Sequence, residues 1–420
     1  MRYAALHNLG CKVNACETEA MREILEQDGY QIVDFSEKAD VYVINTCTVT
    51  QIADRKSRQM LHRARRLNPD AIVIATGCYV ESAKLTGEED DAVDIYIGNN
   101  EKGRLLELIQ RFQKEQATIH STSDINKEKE YESLPIHVSG DHTRAFLKIQ
   151  DGCNRFCSYC IIPYVRGRIR SSSPQEVLRQ IEELAASGTK EVVLDGIHLT
   201  SYGLDLSTDL ISLLKEIDQI DGLERIRLGS IEPTFITEES AAELASLKKL
   251  CPHFHLSLQS GCDSVLKRMN RHYTTAEFEK ICEILRRHFD QPALTTDIIT
   301  GFPGETEEEF EETYRFMEKL SFYEIHVFPY SVRKGTKAAS MPEQNTKKTK
   351  SERSARLLAL TEKQKKAYEQ AHIGKKLSVL IEEKGLGHSK EYLYVHAKGQ
   401  AGEIVSGILR NQGDYLYLSE

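Results

Sequence analysis

The chain has 420 residues, more than one hydrophobic core usually serves, so two or three domains are expected. Forty per cent hydrophobic and 28% charged residues suit a globular protein, no apolar run reaches the ~18–20 residues that span a bilayer, and the start MRYAALHNLGCK lacks a basic-then-apolar secretory signal, so a cytoplasmic location is expected. A net charge of −9 excludes a uniformly basic nucleic-acid coat, and ten cysteines in a reducing compartment point to metal or redox chemistry rather than disulfides.

Residues 1–115 alternate strand-like and helix-like runs. Strands are expected at 3–7, 41–45, 72–76 and 94–97, and helices near 17–27, 51–67 and 100–113. This order builds a parallel sheet with helices on its faces. Residues 116–140 are polar and irregular and read as a linker.

From 141 the strand–helix alternation resumes, with strands expected at 145–150, 191–196, 225–230, 254–259, 295–300 and 324–329. The first helix is well punctuated. Ser173 caps it, Pro174 suits its first position, Glu176 completes a capping box, and Gly188 ends it. Val177, Leu178, Ile181, Leu184 and Ala185 form its apolar face. A later helix repeats the pattern with Thr306 and Glu309 as the box and Phe310, Tyr314 and Met317 as the stripe. Six such units make a partial (βα)6 barrel, an open relative of the eight-fold form.

Residues 331–372 complete this region as a basic helical extension. From Arg333 to Lys376 there are thirteen Lys or Arg against four Glu, a balance of +9. That is either a phosphate-contacting surface or a solvated helix. From 373 to 420 short runs at 377–381, 392–396, 402–408 and 414–418 suggest a small β-barrel. Barrels of this kind often bind nucleic acid, although a fold alone does not establish it. Aromatic–basic pairings there are few beyond Tyr392, Tyr394, His396 and Lys398.

Cys153, Cys157 and Cys160 form a C-x3-C-x2-C loop. Three thiolates can hold three irons of a [4Fe–4S] cube, leaving the fourth open. An open iron can be chelated by the amino and carboxylate groups of S-adenosylmethionine (SAM), whose C–S bond one electron then cleaves to a 5′-deoxyadenosyl radical. The competing reading, structural zinc, prefers four closed ligands. The loop follows the first barrel strand, at the end where such barrels place their chemistry.

Cys11, Cys47 and Cys78 each follow the end of a successive parallel strand. Loops at that edge of an α/β sheet converge where ligands bind, so these thiols either hold a second cluster or are ordinary core cysteines. Cys16 lies near but outside this pattern; Cys251, Cys262 and Cys282 read as packing residues.

The cysteine loop, IQDGCNRFCSYCIIPYVRGRIRSS, together with HLSLQSGCDSVLKRMNRHYT and TTDIITGFPGETEEEF, resembles the radical SAM superfamily and, within it, the methylthiotransferase family. The motif Leu9-Gly10-Cys11-Lys12-Val13-Asn14, with ADVYVINTCTVT and RKSRQM, resembles the branch acting on N6-threonylcarbamoyladenosine of tRNA. The resemblance spans nearly the whole chain. It implies an N-terminal α/β domain, a central radical SAM barrel and a C-terminal TRAM-like β-barrel. It makes Cys153, Cys157 and Cys160 ligands of the radical cluster and Cys11, Cys47 and Cys78 ligands of an auxiliary one.

The implied reaction uses two [4Fe–4S] clusters and two SAM molecules to place a methylthio group on C2 of the modified adenosine beside the anticodon. The alternative is methylthiolation of a ribosomal-protein aspartate. Expected partners are tRNA and a flavodoxin- or ferredoxin-type electron donor, with no membrane and no DNA. No catalytic side chain is expected beyond the cluster ligands. For SAM, the candidates are Tyr159 in the loop, Asp195 and Gly196 ending the second barrel strand, and Gln259 and Ser260 ending the fourth. The segment 301–306 is expected to border the adenine or ribose, with simple turn geometry as its alternative. Arg166, Arg168 and Arg170 read either as contacts to SAM carboxylate or phosphate, or as surface charges.

Overall fold

The computed structural model describes residues 1–87, 89–135, 143–413 and 415–419. The first layer runs β1 (Arg2–Asn8), α1 (Lys12–Gln27), β2 (Tyr30–Ile32), β3 (Val41–Thr46), α2 (Gln51–Leu67), β4 (Ile72–Gly77), α3 (Cys78–Thr86), β5 (Ile95–Ile97), α4 (Leu105–Glu115) and β6 (Ile119–Ser121). The strands form one parallel sheet in the order β2-β1-β3-β4-β5-β6. Every residue of β3 and β4 is buried, which is why both read as unbroken apolar runs. Alternate side chains feed opposite faces. Tyr42, Ile44, Val73 and Ala75 pack with Leu61 and Ala64 of α2, while Val41, Val43, Ile72 and Ile74 pack with Met21 of α1 and Leu108 of α4.

Several boundaries differ from expectation. The helix expected from 17 begins at Lys12, Cys78 opens a helix, and β2 had no sequence signal. β6 arises inside the segment read as linker and pairs with β5, so the sheet continues past 115. Backbone pairing needs no strong apolar pattern in a three-residue edge strand. The linker's end at 136–140, the boundary at 141 and the start of the strand expected at 414 lie outside the described residues.

The second layer runs β7 (Arg144–Asp151), α5 (Ile162–Val165), β8 (Arg170–Ser171), α6 (Pro174–Ala186), β9 (Glu191–Gly196), α7 (Leu210–Ile217), β10 (Arg225–Leu228), β11 (Ser230–Ile231), α8 (Glu238–Ser246), β12 (His253–Gln259), α9 (Asp263–Arg268), α10 (Thr275–His288), β13 (Ala293–Thr300), α11 (Glu307–Leu320) and β14 (Glu324–Pro329). All but the short β8 pair in parallel, in the orders β10-β9-β7-β8 and β11-β12-β13-β14. Gly229 splits the expected 225–230 strand into β10 and β11. Leu147, Ile149, Val192, Leu194, Leu256, Leu258, Ile298 and Ile325 turn outward to the helices. The alternate positions, among them Lys148, Asp195, Arg227, His255, Asp297 and His326, line the inside, so the barrel is polar within.

Ser173 caps α6 as expected, but Glu176 does not close the box; its carboxylate is taken by Arg179. On α11 both halves of the Thr306–Glu309 box form. Glu309 also pairs with Arg268 at 2.7 and 2.8 Å, and this guanidinium, ahead of the other contacts, holds its carboxyl down at about 2. An unfolded glutamate titrates near ~4.3. The stabilisation is therefore complete above that pH and disappears as pH falls through about 2. Glu309→Gln is expected to lower the melting temperature at pH 6, with the gap to the parent closing in acid. A gap independent of pH between 6 and 2 would contradict the assignment.

A long helix, α12 (Lys347–His372), packs against β14 and leads to β15 (Lys376–Glu383), β16 (Leu386–Ser389), β17 (Tyr394–His396), β18 (Ile404–Gln412) and β19 (Tyr415–Ser419). These five close into a barrel, β15-β16-β17-β19-β18. It docks on the N-terminal ends of the core strands. Arg225 donates to the carbonyls of Ser378 and His388 at 2.8 and 2.9 Å, and Tyr392 stacks on His253 with ring centroids 3.8 Å apart. Tyr392 thus faces the core rather than any RNA, while Tyr394 stays exposed. All three arginines of the basic extension are ion-paired, Arg333 to Asp54, Arg353 to Glu305 and Arg356 to Glu311. Exposed lysines such as Lys347 and Lys366 carry the surplus. Among the described residues no helix is long and apolar enough to cross a membrane.

Candidate functional site

β1, β3 and β4 are neighbours in the first sheet, and each ends just before one of the spaced cysteines. The pairings Asn8↔Asn45 and Thr46↔Gly77 bring the strand ends into line. Cys47 is the residue after β3, Cys78 begins α3, and Cys11 immediately precedes α1. Gly77 makes the approach possible. Its φ is +94°, and a side chain there would collide with Asn45 and the Thr46 backbone. Asn14 and Asn45 lock the Cys11 and Cys47 loops together. Asn14 donates to Asn45 Oδ1 at 2.9 Å, Asn45 donates to the Asn14 carbonyl at 2.9 Å, and the Cys11 thiol reaches Asn14 Oδ1 at 3.3 Å.

The 153–160 loop leaves the C-terminal end of β7 and is tied down by the segment after α9. Ser158 N–H donates to the Met269 carbonyl at 2.9 Å, and Asn270 donates to the Phe156 carbonyl at 3.1 Å. Gly152, with φ +71°, leaves no room for a side chain against the Arg168 carbonyl. Arg271, buried, aims its guanidinium at the Cys157 sulfur, 3.3 Å away, and is itself held by Glu232 at 2.9 Å and the Ser257 carbonyl at 2.8 Å.

Both triads suit a cationic iron–sulfur group. Burial first, then the neighbouring Cys157, pushes Cys160 up to about 12, and burial pushes Cys153 up to about 11. Burial and then Cys78 push Cys47 up to about 11. Sulfurs crowded so that each opposes its neighbour's ionisation are the arrangement a bound cation reverses, since coordination favours the thiolates. Cys16 stands apart. It lines a cavity of ≈ 210 Å³ between α1 and α6 that holds none of the six cysteines. Cys251, Cys262 and Cys282 are buried packing residues.

Arg166 ties the segment after the 153–160 loop to Cys78. It follows the 153–160 loop, is fully buried, and donates Nε to the Cys78 sulfur at 3.3 Å. Its other nitrogens reach Glu17 and Asp151, each at 2.9 Å, and Asn14 at 3.2 Å. Lys148 and Lys102 close on Glu17 at 2.9 and 3.2 Å. Burial works against the Glu17 carboxylate, but the three cations outweigh it and hold its carboxyl well below the usual range. Beside them Cys78 packs on Ile161 and Val165, next to Cys160.

Arg166 is therefore neither a surface charge nor a phosphate contact. Arg170 is buried as well and donates to the carbonyls of Arg166 and Arg168; Arg168 lies over the Phe156 ring at 4.6 Å. Asp195 ends β9 facing the same mouth, where burial raises its carboxyl against the pull of Lys12. Gly196 makes room for Gln150, whose oxygen accepts from His198 N–H at 2.8 Å. Tyr159 packs with Met269, Phe302 and Tyr330, and Gln259 ends β12 with φ +77°. Ser260 is not brought to the mouth. It is buried against Thr313 of α11 at 3.3 Å, because the residue after Gln259 turns to the helix side. In the 301–306 turn, Glu305 bridges Gly301 N–H and Arg353, at 2.6 and 2.7 Å.

Sequence reasoning missed Arg271, Glu17, Lys102 and Asn99. Asn99 donates to the Val165 carbonyl at 2.8 Å and lies 3.8 Å from the Cys78 sulfur. Its place after a fourth parallel strand is the one signal that could have found it.

The Radical SAM superfamily model matches residues 147–317, and the model of Uncharacterized protein family UPF0004 matches residues 3–98. The chain is 42% identical to a Bacillus subtilis protein named threonylcarbamoyladenosine tRNA methylthiotransferase MtaB, covering 100% of this chain and 98% of that one. It is 35% identical, over 94% of this chain and 85% of the relative, to a Caldicellulosiruptor saccharolyticus protein named tRNA-2-methylthio-N(6)-dimethylallyladenosine synthase. Among solved structures, the radical SAM methyltransferase TsrM from Kitasatospora setae, with cobalamin and a [4Fe–4S] cluster bound, aligns with TM-score 0.58 at 17% identity, covering 80% of this chain and 77% of that one. That last likeness is one of fold.

Proposed function

The chain belongs to the family of the threonylcarbamoyladenosine tRNA methylthiotransferases, within the radical SAM superfamily, and on that premise we propose that it adds a methylthio group to C2 of N6-threonylcarbamoyladenosine beside the anticodon of tRNA. The observation that carries the reading is Arg166, one buried side chain that follows the short helix after the loop of Cys153, Cys157 and Cys160 and ends on Cys78 of the other triad. Chemistry begun at one triad and completed at the other needs them at one mouth.

When bound, two [4Fe–4S] clusters and SAM supply reductive C–S cleavage, a carbon-centred radical and the methylthio group. In this reading Cys153, Cys157 and Cys160 hold the cluster that meets SAM, and Cys11, Cys47 and Cys78 hold the second. Arg271 and Arg166 orient one sulfur of each triad. Asp195 offers a carboxylate to the cofactor's amine, with Gly196 beside it, while Tyr159 and Gln259 border that space. Buried walls of the barrel keep water from a reactive radical.

The layers divide the work as 1–115 with its extra edge strand for the second cluster, 116–140 as connection, 141–372 for SAM chemistry and the basic helix, and 373–420 as a TRAM-like barrel for RNA. A flavodoxin- or ferredoxin-type reductant and a cytoplasmic setting complete the proposal. The alternative substrate, a ribosomal-protein aspartate, has no support among the relatives named above.

Nucleoside mass spectrometry of tRNA from a deletion strain tests the reading. The 2-methylthio derivative of threonylcarbamoyladenosine should disappear while its unthiolated precursor accumulates. Loss confined to the dimethylallyl derivative would refute the substrate.

A further inference from the structure

β14 ends the barrel's strand order on one side and β7, flanked only by the two-residue β8, closes the other; β7 and β14 are not hydrogen-bonded to each other, so the barrel is open along that side. Lys12, the first residue of α1, stands at this opening. It is exposed, and its ammonium lies 5.7 Å from the centroid of the Phe146 ring of β7. Among the described residues it has neither a hydrogen bond nor an ion pair. Three other cations of the mouth are engaged. Lys148 and Arg166 hold Glu17 and Asp151, and Arg271 holds Glu232. The charge of Lys12 is felt by Asp195 on β9, His253 on β12 and His326 on β14, three inward-facing groups of the barrel. Across the opening Phe328 is half exposed.

An unpaired cation above an aromatic floor suits a planar substituent ending in a carboxylate. A threonylcarbamoyl group is planar at its urea and ends in a carboxylate; a dimethylallyl group has no charge. We propose that Lys12 is the specificity-determining residue of this site and that it receives the carboxylate of the threonylcarbamoyl substituent, with Phe146 beneath. The inference rests on the function proposed above. Asp195 does not compete: no ion pair joins it to Lys12, and the function proposed above gives it to the cofactor's amine.

The test uses two anticodon stem-loop RNAs, one carrying N6-threonylcarbamoyladenosine and one carrying its methyl ester, which removes only the charge. The iron-loaded full chain should bind and methylthiolate the acid about 10–100-fold better than the ester, in Kd and in kcat/KM. Lys12→Met should treat both alike and Lys12→Arg should restore the preference, with iron content measured because Cys11 is adjacent. If the parent protein makes no distinction between acid and ester, the inference is overturned without recourse to any variant. Full retention of the preference by Lys12→Met would overturn it equally. Failure of the parent to methylthiolate the acid at all would instead refute the proposed function.

Discussion

Cys157→Ala should bring SAM cleavage below about one-thousandth of the parent rate, while Cys47→Ala should leave cleavage intact and stop methylthiolation. Three sulfurs acting as one ligand set fail together when one is removed, so the loss is not a third but nearly all. Cys157 is also the sulfur that Arg271 faces at 3.3 Å, so its removal takes one hydrogen-bond partner from a guanidinium that Glu232 also holds. Cys47 follows β3, in the other layer, and none of the hydrogen bonds that anchor the 153–160 loop passes through it. Chromatography of 5′-deoxyadenosine and of the RNA nucleosides, on anaerobically reconstituted protein, reads both outcomes. The division of labour fails if Cys47→Ala loses cleavage as completely as Cys157→Ala.

The second large effect concerns Glu17→Gln. Glu17 is 1% exposed and is the anion on which Arg166, Lys148 and Lys102 converge. The isosteric amide keeps the volume and removes the charge, leaving three buried cations against Asp151. Breaking a buried pair from one side costs about 3–5 kcal/mol, because the remaining charge stays desolvated. Since Glu17 belongs to α1 and Lys148 to β7, the cost falls on the contact between the first layer and the barrel. The urea unfolding curve, followed by circular dichroism because the chain has no tryptophan, should shift to a lower midpoint or split into two steps. An unchanged single transition would show that the network does not hold the layers together.

Much of the architecture was legible because it is written in short-range signals. Unbroken apolar runs such as Val41–Ile44 announce a strand covered on both faces, and Ser173-Pro174 or Thr306-x-x-Glu309 announce helix starts. Signals of this kind failed where pairing rather than pattern made the element. β6 is a strand because β5 offers it an edge, and Cys78 starts a helix because Gly77 takes φ +94°. The single basic segment was visible as charge, but which of its residues are free was not: Arg353 is 5% exposed and bound to Glu305.

By itself the sequence determined where six cysteines lie, three closely spaced in one loop and three at the ends of successive strands, with the parallel sheet and open barrel that carry them. Spacing along a chain limits which thiols can share a loop, and alternation limits which faces are apolar. Only the tertiary structure decided that Arg166 crosses to Cys78, that Arg271 faces Cys157, that Ser260 turns away and that Lys12 stands unpaired at the opening. Each of these joins residues separated by dozens of positions, and a charge acquires a partner, or lacks one, only once the chain has brought those distant positions within a few ångströms.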